Sequence, residues 1–588
     1  MRFTEWIKKH EDCVIAGITV LALALFFGLA FDFYYELNDD VLMKDILAGV
    51  YNGTPESHNI QMLWLLSGFL SLCYRILPVI PWYGLFLCVC QFGFIGILIC
   101  GAMRYCGSRK AKIHMAVCVG IISAGFLAEH FVMVQYTITT TCLVAGAAFL
   151  FYMIPEDADR NEFMRTGIYC VLLVFLAFLL RSEMTALMLP LVGVTGVLRW
   201  SREKEIFAKE NLLRYFAVIG GILLALVVGL GSNKIAYSSD GWKTFCELFD
   251  NRTELYDFQY IPEYEANQDF YRSIGLAKEQ VTLLENYNYG LDERIDEKVL
   301  GEVAKYAAAG REEDLIGRLI PSLRMYVYRS THREDWPWNA VVAALYLAAF
   351  LGFFAGEQKN GKVMTFWSAL WRLGILFAGR SALWMFILVR GRAPVRITHS
   401  LYLMEAVILF AVILTEYGQK RKGNRFFEVL MYVLLGAFFL LLVPGQIASV
   451  ADRCEHQDRI NEKNEALIAY EKEHPDCFYF EDVYTSIYYA EAFNQKMFRN
   501  VDRSPSQMEL LGGWFCKSPA YDRKMAAHGI TEADRSLAES DQILFVCELE
   551  ADLNWLTDYY ELKGTPVQVS LVDEVASYFG IYQVNYAK

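Results

Sequence analysis

Apolar residues in this chain gather in runs of roughly 16–22, the length that crosses a hydrocarbon layer of about 30 Å at 1.5 Å per residue. The first run, Cys13–Phe33, follows a short basic start. No small-residue cleavage site comes after it, so it reads as a retained first helix. Later runs lie at 82–103, 113–129, 138–154, 166–181, 184–199, 212–231, 336–355, 369–390, 399–416 and 426–444. The pattern predicts an α-helical multi-pass membrane protein with about 11 transmembrane helices. One further stretch, Ile60–Leu77, is apolar but sits beside Pro78, Pro81, Trp82 and Tyr83. Counting it as a span would turn the basic cluster that follows outward, so it reads as an interfacial or re-entrant helix.

Short loops rich in Lys and Arg stay on the cytoplasmic side. Four such clusters occur: Arg2, Lys8 and Lys9; Arg104, Arg109, Lys110 and Lys112; Arg199, Arg202, Lys204 and Lys209; and Lys420, Arg421, Lys422 and Arg425. A count of eleven spans puts all four on one side. The N-terminus is then cytoplasmic, and the C-terminal part is extracytoplasmic. Four segments result: an N-terminal transmembrane module at 1–231, whose first outer loop is 34–81; an outer loop at 232–335; C-terminal transmembrane helices at 336–444; and an outer domain at 445–588. In the outer loop, Tyr260–Tyr264 reads as irregular, and Glu279–Glu285 and Asp296–Ala309 as helical. In the last segment, short β-rich runs (Cys477–Phe480, Ile543–Cys547, Val567–Val572, Ile581–Val584) alternate with helical stretches (Ala451–His474, Val483–Phe493), which fits a small α/β domain.

Composition sharpens this picture. The chain is 55% hydrophobic with a mean hydropathy of +0.26, too apolar for an ordinary soluble or disordered protein. Its net charge of -13 is not spread evenly. Segment 232–335 holds 20 acidic against 13 basic residues, and 445–588 holds 25 against 13, so the rest of the chain is positive. Acidic outer parts argue against a nucleic-acid partner, which needs a basic surface. Nine of the 14 cysteines lie in or beside apolar runs, where Cys acts as a small hydrophobe. The other five (Cys246, Cys454, Cys477, Cys516, Cys547) are too widely spaced to show a disulfide framework.

Candidate chemistry begins where the first helix leaves the membrane, at Tyr34-Tyr35-Glu36-Leu37-Asn38-Asp39-Asp40. Adjacent carboxylates at that boundary suit a proton acceptor or a divalent-cation site (Mg or Mn), and equally suit capping of the helix that follows. Leu42, Ile46 and Val50 space as an amphipathic surface helix, and Asn52-Gly53-Thr54-Pro55 ends it. An outer turn holds Arg390, Arg392 and Arg396, against the usual inward preference for Arg; an anionic phosphate partner or interfacial snorkelling explains that. Arg181 can contact phosphate or pair with Glu183. Glu129 and His130, at an outer helix end, and His58 are possible acidic or metal-site partners, or plain interface residues. Trp242, Trp336 and Trp338 suit either sugar stacking or interfacial anchoring. Arg380 and Glu405 lie within spans, where isolated charge is costly, so they are expected to face inward and pair.

The acidic loop YELNDDVL, the interfacial stretch through residue 81 and the layout of spans resemble the GT-C superfamily of integral-membrane glycosyltransferases. Uncharacterised members from Gram-positive bacteria look similar through most of the chain, including the GRAPVR segment. The resemblance implies a GT-C-like fold and transfer of a sugar from a polyprenyl-phosphate donor to a glycan, lipid or protein acceptor on the outer face. It implies that Asp39 or Asp40 is the acidic residue of the first outer loop, as general base or cation ligand, with Arg390, Arg392, Arg396 and Arg181 as candidate donor-phosphate ligands. Other readings stay open. A polysaccharide polymerase or ligase shares the many spans and an outer arginine loop, but has no need of carboxylates after the first helix. A transporter of lipid-linked oligosaccharides calls for inverted repeats and broken midplane helices, which are not evident here. A non-enzymatic receptor remains a further class.

Overall fold

The computed structural model describes residues 10–310, 315–354, 361–418, 425–485, 495–499 and 504–587. The chain is mostly helical, and seven described helices are long and apolar enough to cross a membrane. They are Glu11–Ala30, Trp82–Met103, Arg109–Val132, Arg160–Leu180, Lys209–Ala236, Met364–Val389 and Val395–Glu416. This is a multi-pass membrane protein. Four helices coincide with the other expected runs: Tyr136–Tyr152, Ser182–Trp200, Trp338–Phe354 and Arg425–Glu473. The first of these has 17 residues and nearly all its side chains are buried by its neighbours. The stretch read as interfacial forms Trp64–Ile76, 13 residues or about 20 Å, short of a hydrocarbon core.

Charged side chains mark one end of the bundle. Lys112 bonds Asp12 at 2.6 Å, Arg202 pairs with Glu156 at 3.0 Å, and Glu203 takes both Arg199 at 2.8 Å and Arg214 at 2.6 Å. Helix starts and ends from the first through the Lys209–Ala236 helix therefore meet there, as up-and-down packing requires. Of the expected basic clusters, Arg2, Lys8, Lys9, Lys420, Arg421 and Lys422 lie outside the described residues.

The opposite end carries the acidic segments. Strands β1 (Tyr34–Tyr35) and β2 (Met133–Val134) form a small parallel pair. A second sheet has the order β4-β3-β5-β7-β6, built from β3 (Phe478–Glu481), β4 (Met508–Leu510), β5 (Ile543–Glu548), β6 (Val567–Val575) and β7 (Phe579–Tyr586). β3 runs parallel to β4 and β5, and β7 runs antiparallel to β5 and β6. The two acidic segments share one core: Leu255, Tyr271, Leu284 and Leu300 pack with Phe480, Phe545, Leu556 and Tyr559. Glycines allow the close crossing at their seam. A Cβ on Gly512 would lie 1.9 Å from the Tyr287 carbonyl, and one on Gly290 would lie 2.6 Å from that of Leu511.

Several expectations need correction. The run at 426–444 and the helix at 451–474 are one unbroken 49-residue helix, which carries Leu467 into the β-sheet core. β4 escapes notice because three residues are too few to show alternation. Residues 486–493 of the expected Val483–Phe493 helix lie outside the described residues. All 14 cysteines are unpaired.

Candidate functional site

The chain leaving the first helix is pinned before it reaches the carboxylates. Tyr34 and Tyr35 pair with Met133 and Val134 on one side. On the other, Lys496 bridges Tyr34, and the Tyr35 N–H donates to the Gln495 carbonyl at 2.9 Å. The Asn38–Ala48 helix starts at once, and Gly49 closes it in the left-handed region at φ 83. This helix is not the surface helix its periodicity suggests. Met43, Lys44, Ile46 and Leu47 are all buried, and Tyr51 just beyond it meets Phe515 of the C-terminal segment edge-on at 5.2 Å. Lys44 donates to Gln495 Oε1 at 2.6 Å.

Asp39 and Asp40 occupy the first turn, where a helix N-terminus favours negative charge. Neither caps it: Leu37 is the N-cap, and no side chain bonds there. Asp40 is completely buried. Its Oδ1 accepts from the Tyr83 hydroxyl at 2.7 Å and from the Tyr136 N–H at 3.3 Å, while Oδ2 is buried without a partner. Burial pushes its pKa well above the carboxylate range, reinforced by the charges of Asp39 and Glu36 and opposed by the Tyr83 bond. Asp39, one residue earlier, is half-buried and makes no hydrogen bond or ion pair among the described residues. It lies within charge-interaction range of Tyr136, Arg181 and Arg252.

Three guanidiniums that make no ion pair with a carboxylate among the described residues lie near Asp39 or Tyr136. Arg181 does not pair with Glu183; it donates to the Thr137 hydroxyl and lies 4.5 Å from the centre of the Tyr136 ring. Arg396 interacts with the same tyrosine, and its Nε is buried and unsatisfied. Arg252 also has a buried, unsatisfied Nε and stacks on Tyr256 at 5.5 Å. The other two arginines of the Arg390–Arg396 turn part from this group. Arg392 is ion-paired with Asp257, and Arg390 is exposed, over Phe258 at 5.1 Å. Asp257 and Phe258 belong to a π-helical turn, Glu254–Phe258, that tilts them onto the Arg390–Arg396 turn.

The remaining candidates stand elsewhere. Glu129 is ion-paired with Arg453, which also reaches Glu36 at 3.6 Å. His130 Nε2 lies 3.0 Å from His399 Nδ1, beside Trp338. His58 contacts Glu56 at 2.7 Å and stacks on Trp242 at 4.4 Å, a packing role. Trp242 and Trp338 are buried in aromatic clusters and cannot meet a sugar; Trp336 is half exposed. Among the described residues no three His, Cys, Asp or Glu side chains converge as cation ligands. Asp40 is surrounded instead by a hydroxyl and a backbone N–H, so this donor set does not fit a metal and no step is drawn through one.

The sequence does not mark Tyr83, Tyr136 or Arg252 as site residues. Tyr83 looks like an interfacial aromatic, and Tyr136 carries no local signal. Arg252 lies more than two hundred residues from Asp39 in an acidic loop, and only the fold brings them near.

No known protein family matches the chain, and no curated protein matches it. Among solved structures, ArnT from Cupriavidus metallidurans in the apo state is similar at 13% identity and a TM-score of 0.41, covering 99% of this chain and 98% of that one. The same protein bound to undecaprenyl phosphate gives 13% identity and a TM-score of 0.34 over the same shares.

Proposed function

We propose that the protein is a membrane glycosyltransferase that moves a sugar from a polyprenyl-phosphate donor to an acceptor hydroxyl at the outer membrane face. One observation carries the reading: Asp39 is a half-buried carboxylate without a hydrogen-bond or ion-pair partner among the described residues, in the field of Arg181 and Arg252, beside a fully buried Asp40. The acidic-loop resemblance noted above supports the donor class. In this reading Asp39 takes the proton from the acceptor hydroxyl. The acceptor oxygen bonds to the anomeric carbon, the bond from that carbon to the phosphate oxygen breaks, and the configuration inverts. Polyprenyl phosphate leaves with the electron pair and the negative charge. Polyprenyl phosphate, a monoester released from the diester donor, leaves readily, so the protein's main task is to orient it and balance its charge.

Arg181 and Arg396 are the phosphate ligands in this reading, and Arg252 holds charge opposite Asp39. Asp40 is a positioning residue: it fixes the first turn of the helix through Tyr83 and the Tyr136 N–H. The span count of eleven, the outward face of the outer domain and the N-terminus inside belong to the same proposal, because the donor reaction is set on the side that carries Asp39. The test is transfer of radiolabelled sugar from polyprenyl-phosphate donors, scored for wild type and Asp39→Asn in the same membrane preparation. Transfer by wild type and its loss in the variant supports the reading. Equal transfer by both rejects Asp39 as base, and no transfer from any lipid-linked donor rejects the donor class.

A further inference from the structure

A second feature lies far from these residues. The helices Tyr136–Tyr152, Arg160–Leu180, Ser182–Trp200 and Lys209–Ala236 enclose an apolar cavity of about 460 Å³, in the size range of lipid and drug sites. Cys170, Leu189, Gly193, Trp200 and Ile222 line it, and none of the carboxylates or arginines near Asp39 does. On the Ser182–Trp200 helix, Leu189 is the lining residue closest to Arg181, about 12 Å along the axis. The cavity therefore occupies the half of the bundle toward the basic end.

Its shape comes from glycine. Gly193 and Gly196 face it, and a Cβ built on either meets nothing within 4 Å. Its open side is continuous with the lipid-facing surface: Phe216, Ile219 and Leu223 line it and are also 64%, 51% and 57% exposed. At its basic end it is lined by Trp200 and Tyr215, ring types that concentrate at headgroup level. Arg199, Arg202 and Arg214 are adjacent to them, and Lys204 and Lys209 are exposed there. An empty recess of this size facing hydrocarbon would forfeit van der Waals contact along its walls.

We infer that this cavity is a structural lipid site that holds one acyl chain of a bilayer phospholipid, whose headgroup sits at the Trp200 end. The polarity of the site separates this lipid from the proposed donor: a donor phosphate at Arg181 belongs to the opposite leaflet. The inference does not depend on the transferase reading.

The test is native mass spectrometry and lipid extraction of the full chain, purified in mild detergent. Wild type should retain about one phospholipid per chain. Gly193→Leu with Gly196→Leu, which fills the open space, should retain none while eluting as a folded monodisperse species; Gly196→Leu alone, a milder filling, should retain less. Wild type without phospholipid, equal retention by wild type and a folded filled variant, or polyprenyl phosphate as the species lost on filling, would each overturn the inference.

Discussion

The Tyr83 hydroxyl donates to Asp40 Oδ1 at 2.7 Å inside a site closed to solvent, while Asp39, its neighbour in sequence, makes no hydrogen bond or ion pair among the described residues. Two adjacent carboxylates thus live in opposite environments. Asp39→Asn should lower kcat for sugar transfer by about 10²–10⁴-fold, the usual contribution of a general base, with little change in melting temperature. Asp40→Asn keeps an acceptor for Tyr83 and the Tyr136 N–H, so it should fold and keep most of the activity. Asp40→Ala orphans both donors and should destabilise by about 1–3 kcal/mol.

The same pair predicts a pH dependence. Asp40 has a raised carboxyl pKa in the folded state, so the unfolded chain ionises first. Below the unfolded value both states are protonated and no penalty exists. Above it the unfolded chain binds fewer protons, so stability falls as pH rises toward the raised folded value. Thermal melts of wild type and Asp40→Asn from pH 4 upward should diverge in that sense. Parallel curves would show that Asp40 is ionised in the folded protein.

Among the arginines, partners decide the expected phenotype. Arg181 has a hydroxyl and a tyrosine ring for company, and Arg392 has a carboxylate. A charge-assisted hydrogen bond to phosphate is worth about 1.5–3 kcal/mol, so Arg181→Ala should reduce kcat/KM for the lipid donor by roughly ten- to a hundredfold. Arg396→Ala should act alike. Arg392→Ala removes a half-exposed ion pair worth about 1 kcal/mol or less, and Asp257→Asn should reproduce its small effect. Donor titrations of the four variants check this. A larger loss in Arg392→Ala than in Arg181→Ala would reverse the assignment.

Glu56 ties the loop after the Asn38–Ala48 helix to the C-terminal segment. It accepts from the backbone N–H groups of Ser57 and His58 at 2.8 and 3.0 Å, contacts the His58 ring, and pairs with Arg523. Burial pushes its pKa up, but the His58 bonds and Arg523 outweigh this and hold it at about 2. A lowered folded value means stability that is full above the unfolded glutamate pKa and lost as pH falls toward 2. Melts of wild type should therefore decline below about pH 4.3, and Glu56→Gln should be less stable at neutral pH and flatter through that window.

How much of this was legible in the chain differs by scale. Helices that meet lipid are set by run length, and each expected run coincides with a helix in the structure. The acidic loop stood out because Asp39 and Asp40 follow an apolar run directly. Which of the two is available did not, since successive helical residues point about 100° apart and spacing alone cannot say which direction is the core. The unity of the acidic segments was hidden too. Leu300 and Phe480 carry no mark that they share a core, and Arg252 reaches Asp39 only through that packing. Charged residues within spans were easier, because only pairing makes them affordable: Arg380 and Glu405 were expected together and lie 3.3 Å apart.

That pair yields the last prediction. Glu405 is fully buried, accepts from the Tyr346 hydroxyl at 2.6 Å and faces Arg380, which in turn donates to the Tyr326 hydroxyl at 3.0 Å. Removing one charge leaves the other buried and uncompensated, at a cost of about 3–5 kcal/mol. Replacing both with apolar residues of similar volume removes the desolvation cost along with the attraction, and so costs far less. Arg380→Met and Glu405→Leu should each lower the melting temperature sharply in detergent or nanodiscs, and the double variant should recover most of the loss. Because the pair lies away from Asp39, transfer activity per folded molecule should be kept in the double variant. Additive losses in the double variant would mean that the two charges act independently, each through its tyrosine neighbours.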